Sequence, residues 1–216
     1  MSRVLPILFN TDMVCAILDG RKTVTRRLVK YKYDNTEIRM HTDKYGTRLI
    51  EIQKDVEGET HGKNPDGSTW HKLLPYIEKK APCKKGDILY VRETWSDDRQ
   101  FTKEDTPGIY FYKASAKSDF TPKWHPSIHM PKEAARIFLK VKDVRVERLQ
   151  EMRSEDALKE GIKVSEFDLP NHGVIARFKH LWNSTIKKSD HSIYGWNANP
   201  WVWVIEFERC EKPEEL

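Results

Sequence analysis

The sequence predicts an α+β fold: a small mixed β-barrel with about three short helices and an inserted segment. Three observations predict it. β-Branched and aromatic runs recur at irregular spacing, as in Ile88-Leu89-Tyr90-Val91 and Trp201-Val202-Trp203-Val204-Ile205. Helical period or helical punctuation is confined to a few short stretches. Strands and helices do not alternate as βαβ units, which disfavours a doubly wound sheet. At 216 residues the chain fits a single domain, 1–216, interrupted at about 29–84 and fraying after 210.

Taken in order, Val4 to Phe9 reads as a first strand or extended lead-in. Met13 to Leu18 reads as a helix; Asn10, Thr11 or Asp12 can cap its start and Gly20 can close its end. Thr23-Val24-Thr25 reads as a strand whose two threonines share a face. From about Val29 to Lys84 the composition turns to Lys, Asp, Gly and Thr, with turn signals at Asp34-Asn35, Tyr45-Gly46 and Asn64-Pro65-Asp66-Gly67. Inside it, Ile38 to His41 and Arg48 to Ile52 alternate as a hairpin around Lys44-Tyr45-Gly46.

After the turn Lys84-Lys85-Gly86-Asp87, Ile88 to Glu93 is a strand with apolar residues on both faces. A polar loop from Ser96 to Thr106 leads to an aromatic strand, Gly108 to Tyr112. Pro122 to Pro131 is an irregular loop carrying Trp124, His125 and His129. Ala135 to Val141 and Val144 to Leu149 read as two strands or one long bent strand. Ser154 to Gly161 is a short helix with a serine at its start and a glycine at its end. Val174 to Ile186 has the helical period, with Val174, Ile175, Phe178, Leu181 and Trp182 on one side. Trp201 to Phe207 is nearly all apolar and reads as a central strand.

Composition narrows the function classes. Charged residues make up 33% and the net charge is +5, so a nucleic-acid surface must come from local clustering rather than from a basic tail. Cys15, Cys83 and Cys210 form no C-x-x-C pair and are odd in number, which points to a reducing cytoplasm and away from a cysteine zinc site. No stretch approaches the length of a membrane span. His41, His61, His71, His125 and His129 lack metal-ligand spacing, so neither a metal nor a cofactor is expected.

The chemistry concentrates in Gly20-Arg21-Lys22-Thr23-Val24-Thr25-Arg26-Arg27. A lysine, two hydroxyls and three arginines at a helix-to-strand turn suit an anionic or polar ligand; the plain alternative is a solvated basic turn. Trp95 and Tyr110 are candidates to stack on a base, whereas Trp201 and Trp203 share a strand face and suit the core.

Gly20-x-Lys22-x-x-x-x-Arg27 resembles the signature of ASCH domains, members of the PUA-like β-barrel superfamily. Lys85-Gly86-Asp87-Ile88-Leu89, Ala157-Leu158-Lys159-Glu160-Gly161 and Trp203-Val204-Ile205-Glu206-Phe207 resemble further family segments, in the family's order. The run Gly20 to Thr25 is similar to that of the small bacterial N4-acetylcytidine amidohydrolases, a group about half as long. That resemblance implies Lys22 as catalytic lysine, Thr25 as nucleophile and Glu160 as catalytic glutamate. It leaves Arg21, Thr23, Arg26, Arg27, Trp95 and Tyr110 as ligand-binding candidates, Arg27 being the arginine the signature marks. The length and Trp124 to Pro131 look more like ASCH-type proteins of phages and prophages, which would act in a host cytoplasm.

A threonine hydroxyl needs a base, and a lysine is a base only when neutral, so burial or cationic neighbours must lower its pKa from about 10.4. Each residue also has a plainer role: Thr25 as a strand threonine, Lys22 as a phosphate or carbonyl contact, Glu160 as a solvated helix end. The expected partners are a nucleoside or RNA, with DNA a further option. The reading is an amidohydrolase on an N4-acylated cytidine; its rivals are a non-catalytic RNA or modified-base reader and a ribonuclease.

Overall fold

The computed structural model describes residues 2–53, 61–63, 65, 69–71, 76–97, 110–117, 122–163 and 172–214. Residues 64, 66–68, 98–106 and 108–109, parts of the turn, loop and strand read above, lie outside them. The chain divides into two compact units, one made of Met1–Arg27 with Cys83–Leu216 and the other of Leu28–Pro82.

The larger unit begins with β1 (Val4–Leu8), α1 (Thr11–Leu18) and β2 (Val24–Leu28). Asn10 caps α1, its Oδ1 accepting from the Met13 N–H at 2.9 Å. The helix turns Val14, Ala16 and Ile17 inward and ends at Gly20, whose φ of +74° is open to glycine. The second unit holds β3 (Thr36–Asp43), β4 (Gly46–Gln53), β5 (His61–Lys63), β6 (Thr69–His71) and β7 (Tyr76–Glu78). β3 and β4 are the expected hairpin, paired from Thr36 with Gln53 to Asp43 with Gly46, and β7 adds to β4.

The chain then forms β8 (Ile88–Arg92), the short antiparallel pair β9 (Trp95–Ser96) and β10 (Phe111–Tyr112), and β11 (Phe138–Arg148). Three helices follow, α2 (Ser154–Lys159), α3 (His172–Thr185) and α4 (His191–Tyr194), before β12 (Trp201–Cys210). The main sheet has the order β1-β8-β11-β12-β2. β1 runs parallel to β8, while β8, β11 and β12 are successively antiparallel. Among the described residues no ladder joins β1 to β2, so the sheet is open: the α+β class holds, without a closed barrel.

Strand placement follows the apolar pattern. β12 lies inside the sheet, between β11 and β2, as its apolar run predicts. β11 is one strand, with a register irregularity between Val141 and Asp143. β8 serves two cores. Leu89 and Val91 join Ile7, Val14, Ile17, Leu139 and Ile205 on one face. Ile88 and Tyr90 pack against Trp95, Met130, Ala135 and Phe138 on the other. No helix of the described residues is long and apolar enough to cross a membrane.

The turn before β8 is held by a fully buried Asp87 carboxylate. It accepts from the Arg3 N–H at 3.1 Å, the Lys84 N–H at 3.0 Å and the Arg3 guanidinium at 2.5 and 3.1 Å. Burial pushes its pKa up, but these donors outweigh burial and hold it at about 2. Because the folded value lies below the ordinary value near 3.9, the stabilisation is complete above that value and is lost as pH falls toward 2. Acid unfolding followed by circular dichroism should therefore show a stability loss between about pH 4 and 2, and Asp87→Asn should lower Tm at neutral pH and flatten that loss.

Candidate functional site

Lys22 lies two residues before β2, and it sits where it does because the backbone is tied on both sides. Its N–H donates to the Ala16 carbonyl of α1 at 2.9 Å, and the Thr23 N–H donates to the Lys159 carbonyl of α2 at 2.9 Å. Lys22 and Glu160 also form an isolated antiparallel bridge. This brings the end of α1, the start of β2 and the end of α2 together around one lysine.

The Lys22 side chain is buried. Its Nζ donates to the Val24 carbonyl at 2.7 Å, the Glu160 carbonyl at 2.9 Å and Glu160 Oε2 at 2.6 Å. An ammonium has three donors, and these acceptors use all of them. The other oxygen of Glu160 accepts from Arg26 Nη1 at 3.2 Å. Arg26 is itself 1% exposed at its side chain and lies near Glu147, at 3.4 Å, and Asp156, at 3.8 Å. Its Nε is buried without a hydrogen-bond partner. Burial lowers the pKa of Lys22; Glu160 pulls it back up, and Arg27 and Arg26 push it down again, so the net shift is toward the neutral amine.

Thr25 is buried, and its Oγ1 accepts from Arg27 Nη1 at 3.1 Å. Arg27 also donates to the Leu8 carbonyl at 2.9 Å and lies 5.1 Å from the Phe9 ring centroid, a cation–π distance. Lys22, Thr25, Arg26, Arg27 and Glu160 line one cavity of about 90 Å³. Its remaining wall is mostly apolar, with Phe9 and Met13 from the α1 side and Phe178, Leu181 and Trp182 from α3, and also includes Asn10 and Thr185. The Phe178 and Trp182 rings are stacked, with centroids 6.1 Å apart. A volume of this size holds a few waters or part of one planar ring, and cannot hold a polynucleotide.

The cavity therefore gathers five of the nine residues singled out from the sequence. The other four are elsewhere. Thr23 is exposed while Thr25 is buried, which corrects the expectation that they share a strand face: β2 starts one residue later, at Val24. Arg21 turns back to Asp19 at 2.8 Å and to the Gly161 carbonyl at 2.7 Å. Trp95 and Tyr110 do not line the cavity. They meet edge to face at 5.7 Å in the second core, where Trp95 also packs against His125 at 5.2 Å. The Trp95 Nε1 is buried without a partner.

The aromatic side of the cavity comes instead from Phe9, Phe178 and Trp182. The helical spacing of α3 marked the last two as an inward face, but it did not show that this face closes a cavity. Among the described residues, no group of three His, Cys, Asp or Glu side chains is placed to hold a metal. The side chains of His61 and His71 lie outside the described residues. No protein-family model matches the chain, and neither a curated protein nor a solved structure matches it.

Gly161 sets how closely α2 approaches this site. Its φ is +91°, and a Cβ there would lie 2.7 Å from the Ala16 Cβ and 3.1 Å from the Lys22 Cβ. Neither neighbour is the end of a flexible chain. Gly161→Ala should cost about 1–3 kcal/mol in denaturant unfolding, as overpacking does. Lys22→Met removes one of the two cations paired with the buried Glu160, leaving Arg26 on its other oxygen, and should cost about 3 kcal/mol, of which Lys22→Met/Glu160→Gln recovers a part, since the under-compensated charge is gone.

Proposed function

We propose that this chain binds a single modified pyrimidine base in the Lys22 cavity and hydrolyses an acyl amide on it, the substrate class being an N4-acylated cytidine. The observation that carries the proposal is that an amine, an alcohol and a carboxylate from residues 22, 25 and 160 line one small cavity with an aromatic wall. The unpartnered Arg26 Nε supports it as a donor with no acceptor of its own. In this reading the open sheet is the main part of a PUA-like barrel of the ASCH type, and the protein works in the cytoplasm.

The proton on the 2.6 Å Lys22–Glu160 contact moves to the carboxylate, leaving a neutral amine and a carboxylic acid. Burial of Lys22 favours its neutral amine. The amine takes the Thr25 hydroxyl proton, directly or through one water, while Thr25 Oγ1 bonds to the acyl carbon. Arg27 holds Oγ1 in place and lies beside the charge that develops. The carbon–nitrogen bond then breaks, and Glu160 gives its proton to the leaving exocyclic nitrogen. Water attacks the Thr25 ester, passing a proton to Glu160. The Oγ1–carbon bond breaks as the Lys22 ammonium returns a proton to Thr25, which restores every group.

The second reading is a non-catalytic base reader. Two contacts favour it: all three donors of a charged Lys22 are already engaged, and the Thr25 hydroxyl is held by Arg27 rather than by Lys22. Chromatography of N4-acetylcytidine incubated with the protein separates the two. Hydrolysis predicts release of cytidine, with kcat lowered about 10²–10⁴-fold in Thr25→Ala and partly kept in Thr25→Ser. Full activity in Thr25→Ala rejects the nucleophile. Binding by calorimetry without turnover selects the reader.

A further inference from the structure

The second unit exposes several aromatic side chains. Eight large hydrophobic residues are exposed among those described, and four of them, Tyr31, Tyr33, Met40 and Tyr45, lie within Leu28–Pro82. Tyr33 is 57% exposed and Tyr45 76%. Two of these rings carry a lysine: Lys32 Nζ lies 5.5 Å from the Tyr33 centroid, and Lys44 Nζ lies 5.0 Å from that of Tyr45. Lys30 and Lys80 are exposed in the same unit.

The strap Lys30-Tyr31-Lys32-Tyr33 is held firmly from below. Glu51, 2% exposed, accepts from the Lys32 N–H at 2.9 Å, the Tyr33 N–H at 2.9 Å and the Thr36 hydroxyl at 2.6 Å. Lys79 pairs with the same carboxylate and donates to the Lys30 carbonyl at 2.9 Å. The Thr36 hydroxyl also reaches the Tyr33 carbonyl at 2.9 Å. Burial pushes the Glu51 pKa up, but Lys79, Thr36 and the two backbone N–H groups outweigh it and hold it at about 2. A buried, charged anchor therefore fixes the backbone of an exposed lysine–tyrosine strap, so a ligand need not order the chain there.

We infer that the Lys30–Tyr33 strap of the second unit is a stacking platform for single-stranded nucleic acid, with its tyrosine rings on bases and its lysines on phosphates. Exposed rings on a preordered backbone stack on unpaired bases irrespective of sequence, and adjacent ammonium groups follow the nucleic-acid backbone. A duplex offers no unpaired faces, so it is the poorer ligand. The inference is independent of the cavity reading, because it concerns other residues and needs no turnover.

The probe is a fluorescein-labelled mixed-sequence RNA strand of about 12 nucleotides, with the same sequence as DNA and as duplex, read by anisotropy with the full chain. The expected result is binding of both single strands over the duplex. Tyr31→Ala/Tyr33→Ala should raise Kd at least about tenfold, since each stacked base contributes substantially to binding. Lys32→Ala should reduce the slope of log K against log salt by about 0.7. Both variants should keep the wild-type Tm and an unchanged rate on free N4-acetylcytidine. No binding by the wild type, equal binding of duplex, or an unchanged Kd in the tyrosine variant would overturn it.

Discussion

The larger unit is organised around a buried ion pair between Lys22 and Glu160. Taking two charges out of water costs several kcal/mol for each ion, so such a pair survives only where every donor and acceptor is met. Here the two residues also share a backbone bridge, and the lysine spans three acceptors. The pair fastens α2 to the start of β2, and through the Ala16 carbonyl it holds the end of α1 as well. Arg26 extends it outward to Glu147, which is shared with Arg145, so the charges alternate from the cavity toward the sheet surface. A hydrophobic cluster could join the same elements, but it would not leave titratable groups facing a cavity.

Much of the larger unit's fold was legible because its signals are local. Asn10 and Gly20 bound α1 as their chemistry suggests, and the unbroken apolar run of Trp201 to Phe207 belongs to an interior strand. β8 has apolar residues on both faces because it separates two cores. What local reading missed are consequences of tertiary contact. Thr23 looked like a strand residue, yet its N–H is spent on the Lys159 carbonyl, and regular strand geometry starts at Val24. The expected barrel would need the edges β1 and β2 to pair, and no run of residues announces that among the described residues they do not.

The site shows the same division. Lys22, Thr25 and Glu160 could be picked out by residue type and by resemblance, and they lie together. The aromatic partners could not. Trp95 and Tyr110 stand next to polar loops and looked available, but Trp95 is 8% exposed and packs beneath His125. Phe178 and Trp182 looked like ordinary core on α3, and only the placement of that helix beside Phe9 turns them into a wall. Arg26 looked ready for a ligand, but its Nη1 and Nη2 already face the carboxylates of Glu160, Glu147 and Asp156, and Nε alone is without a partner.

The Lys79–Lys30 contact has a topological consequence. It joins residues 49 positions apart, so the second unit closes on itself near its two ends. The entropy of closing such a loop grows only with the logarithm of its length, about 0.6 kcal/mol for each doubling. Lengthening or shortening the chain between residues 30 and 79 should therefore change the closing entropy of this unit only slightly.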